Sequence, residues 1–217
     1  MTDARSEDDL KAVVLEAALK RAADEGFTEA MLSAAGKDAS TGAEMLAHIF
    51  PQGPASVVEF FSQCSDAAME KVLADKNLSE MKVRERISTA VLARIDAIRP
   101  HKEAARRAAA FLLMPAHAPL GMKLLYQTVD AMWRAAGDTS TDFNFYTKRA
   151  ILSAVYSSTL MRWFNDASQD EIATHEFLAA RIENVMQFEK FKAEMRERTK
   201  GMPSFADVLK GFSAPKS

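Results

Sequence analysis

Glycine and proline punctuate this chain at intervals that only helices fill. Eight glycines and seven prolines occur in 217 residues, and most fall where runs of strong helix formers end. Between them, apolar residues recur at three- and four-residue steps, and the alternation that marks a half-buried strand is almost absent. The spacing predicts helices over residues 7–25, 28–35, 42–50, 54–75, 81–98, 102–113, 119–136, 142–164, 168–199 and 204–212. In the first, Leu10, Val13, Val14, Ala17 and Ala18 form the apolar stripe. In the fourth, Val57, Phe60, Phe61, Cys64, Ala68 and Val72 are expected to face inward. Gly26, Gly36 and Gly137 are read as stops, and Thr41/Glu44 and Ser168/Glu171 as capping boxes. No strict period of the length used by solenoids is present. The fold class expected is all-α.

The totals narrow the function. Twenty-eight basic residues against 30 acidic ones make no generic nucleic-acid binder. The single cysteine, Cys64, excludes an intramolecular disulfide framework and fits a reducing compartment. Its place on the expected apolar face of the fourth helix reads as an inert core thiol. Glu7, Asp8 and Asp9 precede any apolar run, the opposite of a targeting segment. No apolar stretch approaches the roughly 20 residues that span a bilayer; the best candidate, 150–160, contains Ser153, Ser157, Ser158 and Thr159. A cytoplasmic protein, peripheral on the inner face of the membrane, is the expected setting.

Motifs that carry chemistry are missing. The four histidines are His48, His101, His117 and His175, and none belongs to an HExxH pair. Glu44–His48 and Glu171–His175 are each one residue too far apart for the Glu-x-x-His ligand pairs of di-metal bundles. There is no glycine-rich phosphate loop and no G-x-S-x-G elbow. Neither enzyme activity, a metal site nor a cofactor is expected.

The first three helices have the outline of a helix-turn-helix, and the first 75 residues or so resemble the TetR family of regulators. Charge argues against DNA reading. Residues 1–60 hold five basic side chains (Arg5, Lys11, Lys20, Arg21, Lys37) and eleven acidic ones, a net of −6, which repels the phosphates that supply non-specific affinity. The helix in the recognition position offers Glu44 and His48 but no Arg or Lys for guanine. A ligand-sensing regulator remains the alternative reading.

Residues 124–164 are the most distinctive. The motifs LLY-x-x-VD-x-MW (Leu124–Trp133), AGD-x-STDFN-x-YTKR (Ala136–Arg149) and A-x-x-x-AVY-x-ST (Ala150–Thr159) resemble those of the coenzyme Q biosynthesis protein nine family. Phe50-Pro51-x-Gly53 and Phe60-Phe61-x-x-Cys64 extend the likeness more weakly, and it spans residues 8–186. The resemblance implies a homodimer with a TetR-like fold that binds no DNA. It implies an isoprenoid lipid held in an apolar pocket and presented to the quinone hydroxylase that acts on demethoxyubiquinone. It also implies a partner-binding patch carried here by Asp130, Met132, Phe145, Tyr146 and Arg149; family members commonly have Trp at the position of Phe145.

The apolar residues suited to the lipid pocket are Phe111, Leu112, Met114, Leu124, Leu125, Val129, Leu152 and Val155, with Leu113, Ile151 and Met161 beside them. Twelve methionines fit a surface that adapts to a flexible ligand. At the C-terminus, Phe205, Val208, Leu209 and Phe212 fall on one helical face, and residues 187–217 carry a net +3. A basic segment with an amphipathic end reads as a membrane-surface contact. The organisation expected is one helical domain over 1–200, with a helix-turn-helix-like unit over 1–53 and a lipid-binding body over 54–200, followed by the amphipathic helix and tail of 201–217.

The charge argument is directly testable. In a low-salt mobility-shift assay we expect no salt-sensitive, sequence-specific binding of duplex DNA at submicromolar protein.

Overall fold

The computed structural model describes residues 6–139 and 143–199, with side chains described over 6–139 and 145–187. Every regular element among them is helical: α1 (Glu7–Glu25), α2 (Glu29–Asp38), α3 (Ala43–Ile49), α4 (Pro54–Ala74), α5 (Val83–Ile98), α6 (Lys102–Leu113), α7 (Ala118–Ala135), α8 (Phe143–Phe164) and α9 (Ile172–Thr199). The amphipathic stripe expected at Phe205, Val208, Leu209 and Phe212 lies outside the described residues.

Local chemistry sets most helix ends. Ser6 and Asp9 form a reciprocal capping box at the start of α1, with Asp9 N–H donating to Ser6 Oγ at 3.1 Å. Thr28 accepts from Met31 N–H at 3.0 Å. Gly137, at φ +83°, closes α7 in the left-handed conformation, with Asp138 N–H donating to Trp133 C=O at 3.0 Å.

Five expectations are corrected. Gly36 does not stop the second helix; it lies buried inside α2, where a Cβ would meet Leu46 of α3 at 2.8 Å. Its value is close helix approach. Thr41/Glu44 is no capping box, because Gly42 is the N-cap and no side chain bonds there. Ser168/Glu171 is not one either. Asp166 instead accepts from the Thr174 backbone N–H at 2.7 Å and from its hydroxyl at 2.5 Å. Those bonds, with others from Ser168, hold its carboxyl well below the usual carboxylate range, while Glu171 turns to Arg99 and Lys102. The buried row of α4 runs Val57, Phe61, Ser65, Met69 and Leu73, leaving Cys64, Ala68 and Val72 exposed. Ser65 can be buried because its hydroxyl donates to Phe61 C=O at 2.7 Å. Cys64 is therefore no core thiol. In α1 the buried residues are Val14, Leu15, Ala18, Leu19 and Ala22, with Val13 outside.

α2 packs on both α1 and α3, and α1 also lies on α4 and α6. The body is built around α4, which packs on α5 and α7; α7 packs on α8, and α8 on α9. One continuous apolar core runs from Val14 and Met31 through Val57 and Val91 to Val129, Trp163 and Leu178. No described helix is long and apolar enough to cross a membrane.

Leu178 fixes α9 to this core and is fully buried. We expect Leu178→Ala to cost about 2–5 kcal/mol of stability in urea denaturation, from lost burial and the cavity left behind.

Candidate functional site

The turn between α7 and α8 is held by a cluster of buried charge. Arg149 on α8 is 4% exposed. Its Nε donates to Asp130 on α7 at 2.7 Å, and its Nη1 donates to Asp138 at 3.2 Å and to Phe145 C=O at 3.2 Å. The Asp138 side chain is equally buried and takes a second cation, Lys148 Nζ, at 2.7 Å. Phe145 lies under the guanidinium, with ring centroid and Cζ 3.4 Å apart. Trp133 Nε1–H donates to Lys148 C=O at 3.1 Å. Two carboxylates, two cations and two aromatic rings thus tie α7 to α8.

This arrangement divides the residues expected to form a partner patch. Tyr146 is exposed, at 68%, with Phe145 edge-on to it at 5.1 Å, and Asp130 is partly exposed beside Arg134. Met132 and Arg149 are buried. Placing Met132 on a surface fails because position 132 faces the α7 core beside Thr128, Val129 and Ala131. Arg149 fails as a surface group because two carboxylates offset its desolvation.

Two apolar cavities flank α8. The larger, about 380 Å³, lies between α4, α5, α6, α7 and α8. The other, about 330 Å³, lies between α5, α7, α8 and α9, with Lys82 and Arg84 at its edge. Both fall at the lower end of the roughly 300–1,000 Å³ typical of small-molecule sites. The expected pocket residues are shared out between them. Leu112, Leu124 and Leu125 line the larger cavity, as do Leu113 and Met161. Leu152 and Val155, with Ile151, line the smaller one from the other face of α8. Phe111 and Val129 line neither. Phe111 is buried in a stack with His117 at 3.9 Å, and Val129 is wholly buried in the core. Met114 is 45% exposed beyond the end of α6. Leu113 and Met161 are exposed as well as cavity-lining, so they form the rim of the larger cavity.

The larger cavity has a polar floor that no local motif announced. Arg94 of α5, Thr128 of α7 and Tyr156 of α8 are buried there, beside Ser62 of α4. Arg94 Nε donates to Asp66 at 2.6 Å and Nη2 to Ser62 Oγ at 3.4 Å. Thr128 Oγ1 donates to the same carboxylate at 2.9 Å. Burial pushes the Tyr156 hydroxyl above its ordinary pKa, so it is protonated at neutral pH. The available signal was Arg94 itself, which stands on the apolar stripe of α5 with Ile87, Ala90, Val91 and Ile98. Among the described residues, no group of three or more His, Cys, Asp or Glu side chains is placed to hold a metal ion.

The clasp and the exposed tyrosine make opposite predictions. Arg149→Ala leaves Asp130 and Asp138 without their shared partner, and we expect a loss of about 3–5 kcal/mol in chemical denaturation. Tyr146→Ala is expected to stay within about 0.5 kcal/mol of the parent.

With the geometry in place, comparison with known proteins is direct. The COQ9 family model matches residues 118–189, a stretch holding α7, the clasp and α8. The mitochondrial ubiquinone biosynthesis protein COQ9 of Rattus norvegicus is 28% identical over 97% of this chain and 71% of its own length. The Homo sapiens protein of that name gives 28%, 97% and 70%. COQ9-B of Xenopus laevis is 32% identical over 85% of this chain and 65% of its own. Among solved structures, the TetR transcriptional regulator from Nitrosomonas europaea matches with a TM-score of 0.67 at 16% identity, over 80% of this chain and 96% of that one. That likeness establishes a TetR-like fold. The family resemblance read from the α7–α8 motifs is borne out: the chain is similar to the COQ9 proteins along nearly its whole length and to the COQ9 family model over residues 118–189.

Proposed function

We propose, from this kinship with the COQ9 proteins, that the chain serves ubiquinone biosynthesis as a non-catalytic accessory protein. In this reading it binds an isoprenoid quinone precursor and presents it to the hydroxylase acting on demethoxyubiquinone. The observation that carries the lipid half is the larger cavity, walled by Leu112, Leu124 and Leu125 and open past Leu113 and Met161. Each buried methylene of a prenyl tail contributes on the order of 0.8 kcal/mol, so a tail seated there binds well without a polar anchor. The observation that favours a partner surface is Tyr146, an aromatic side chain 68% exposed and edge-on to Phe145. Aromatic residues of this kind dominate interface energetics.

The expectation from the family also includes a homodimer and a peripheral membrane contact through Phe205, Val208, Leu209 and Phe212. Membrane contact suits the chemistry, since a prenyl lipid must be drawn from a bilayer. The regulator alternative shares the fold but meets the acidic N-terminal unit, where α3 offers Glu44 and His48 to a DNA groove.

Filling the cavity tests the lipid reading. Ala109 lines it and is partly buried. We expect Ala109→Phe to remove most of the isoprenoid lipid that co-purifies with the parent, measured by mass spectrometry, while the thermal melt stays cooperative. Equal lipid content in the two proteins refutes this site. For the partner half, Tyr146→Ala is expected to weaken hydroxylase capture by about 1–4 kcal/mol at an unchanged melting temperature. Undiminished capture refutes it.

A further inference from the structure

From Ala108 to Met122 the chain carries no Asp, Glu, Lys or Arg. This stretch covers the end of α6, the connector and the first turn of α7, and much of it lies outside the core. Leu113 and Met122 are each 75% exposed and Met114 is 45% exposed, with Pro115, Ala116 and Pro119 exposed between them. The connector's titratable residue, His117, is turned back and stacked on Phe111. Gly121 lets the two helix ends meet closely, since a Cβ there would stand 3.1 Å from Leu112 C=O. A contiguous exposed apolar surface of this kind marks an interaction site. Its backbone suits an apolar surrounding too. Met114 N–H and His117 N–H donate inside the turn, to Phe111 C=O at 3.2 Å and to Met114 C=O at 2.9 Å, and Pro115 and Pro119 have no N–H to satisfy. Those positions lose no hydrogen bond to water on entering a less polar phase.

Position and charge select the partner. Leu113 and Gly121 line the larger cavity, and Met161 stands at its rim, 52% exposed. The bond from Trp133 to Lys148 sets the register of the antiparallel α7 and α8. Met122 and Met161 lie about 17 and 20 Å from it along their helices, in the same direction. The apolar connector therefore shares one end of the bundle with the cavity mouth. Between Glu103 and Asp130 the chain has no acidic residue, while Arg106, Arg107 and Lys123 flank the connector and Arg162 is exposed beside Met161. Glu103 and Glu59 pair with the first three, which leaves a positive surplus. An apolar tip ringed by cations fits the surface of an anionic bilayer. Side chains three-quarters exposed protrude, which suits a fluid phase better than a fitted protein pocket.

We infer that the α6–α7 connector is a membrane-insertion tip: Leu113, Met114 and Met122 enter an anionic bilayer at headgroup depth and set the mouth of the larger cavity against it. The inference rests on the lipid-binding reading above and deepens it, giving that cavity a route to its ligand. It adds a membrane contact separate from the one expected at Phe205, Val208, Leu209 and Phe212. A prenyl tail then passes between bilayer and cavity without exposing its methylenes to water.

The test uses the full chain with Cys64→Ser, carrying an environment-sensitive dye at Ala116→Cys or, as a control, at the exposed α3 position Met45→Cys. Phosphatidylcholine vesicles are added with and without phosphatidylglycerol. We expect the emission at position 116 to shift to the blue and to be quenched by doxyl-labelled lipid, more strongly with phosphatidylglycerol, and the emission at position 45 to stay unchanged. A second protein carries Ala116→Glu and Met122→Glu, neither of which lines the cavity. It is expected to bind vesicles at least about tenfold more weakly, from the loss of one buried methionine, and to take up farnesyl-benzoquinone from vesicles more slowly by a similar factor. Its thermal melt and its uptake of the quinone from octyl glucoside are expected to match the parent's. A dye at position 116 that does not respond to vesicles overturns the inference, whether or not the glutamate variant folds. So does undiminished vesicle binding by that variant. A blue shift that appears without vesicles and grows with protein concentration also overturns it, because a second copy then covers the connector. If the parent takes up no quinone even from octyl glucoside, the lipid-binding reading falls, while the dye and the vesicle binding still decide whether the connector inserts.

Discussion

The Arg149 clasp is the constraint on which the described body depends. α7 and α8 are antiparallel neighbours joined by a short turn, and short turns alone allow a range of crossing angles. Here the angle is pinned by hydrogen bonds from one guanidinium to Asp130 on α7 and to Asp138 in the turn. Gly137 makes this possible: its left-handed backbone turns the chain sharply enough to bring the Asp138 carboxylate back over α8. Both cavities use α8 as a shared wall, the larger through Tyr156, Ser157 and Leu160, the smaller through Leu152 and Val155. Moving α8 against α7 would reshape both at once.

This changes what the distinctive motif means. The run from Ala136 to Arg149 carries the family resemblance, and its charged residues invite reading as surface. In the structure the charged chemistry of this run is turned on itself: Asp138, Lys148 and Arg149 bond to one another and to the turn. Among the described aromatic side chains of the run, Tyr146 is the exposed one. A substitution at Arg149 that abolished partner binding would therefore report on folding first. Tyr146, which takes no part in this bonding, is the position at which an effect on binding would be distinguishable from one on folding.

The fold was largely legible because helix punctuation is local chemistry. Gly26, Pro54 and Gly137 sit at the boundaries their backbone preferences demand. The failures also have local causes. Gly36 has the composition of a stop, but a glycine inside a helix also permits close approach, and only the position of Leu46 on α3 decides between them. Ser168 and Glu171 had the spacing of a capping box, yet Asp166 lies near enough to cap the same turn and Arg99 draws Glu171 away. The α4 stripe differs because Ser65, polar by type, faces inward with its hydroxyl satisfied by its own i−4 carbonyl. The sequence does not carry the division of the expected pocket residues between two cavities. Hydrophobic periodicity marks the buried faces of a helix, and it cannot say which of two spaces each face borders. Leu125 and Leu152 therefore looked equivalent and line different cavities.

Arg94 illustrates a signal that periodicity does contain. On α5 it occupies a stripe otherwise made of Ile87, Ala90, Val91 and Ile98. A leucine there would pack without any desolvation cost, and replacing a buried ion pair by apolar residues of similar volume is often neutral or stabilising. Stability alone therefore gives little reason to keep Arg94 and Asp66 in the core. Arg149 differs, since its carboxylate partners and the Phe145 carbonyl account for its bonding and its position closes a turn that apolar side chains could not close. The two buried arginines thus separate by one atom. In Arg149 the guanidinium is spent on holding the chain, whereas in Arg94 Nη1 is buried without an acceptor from the described chain.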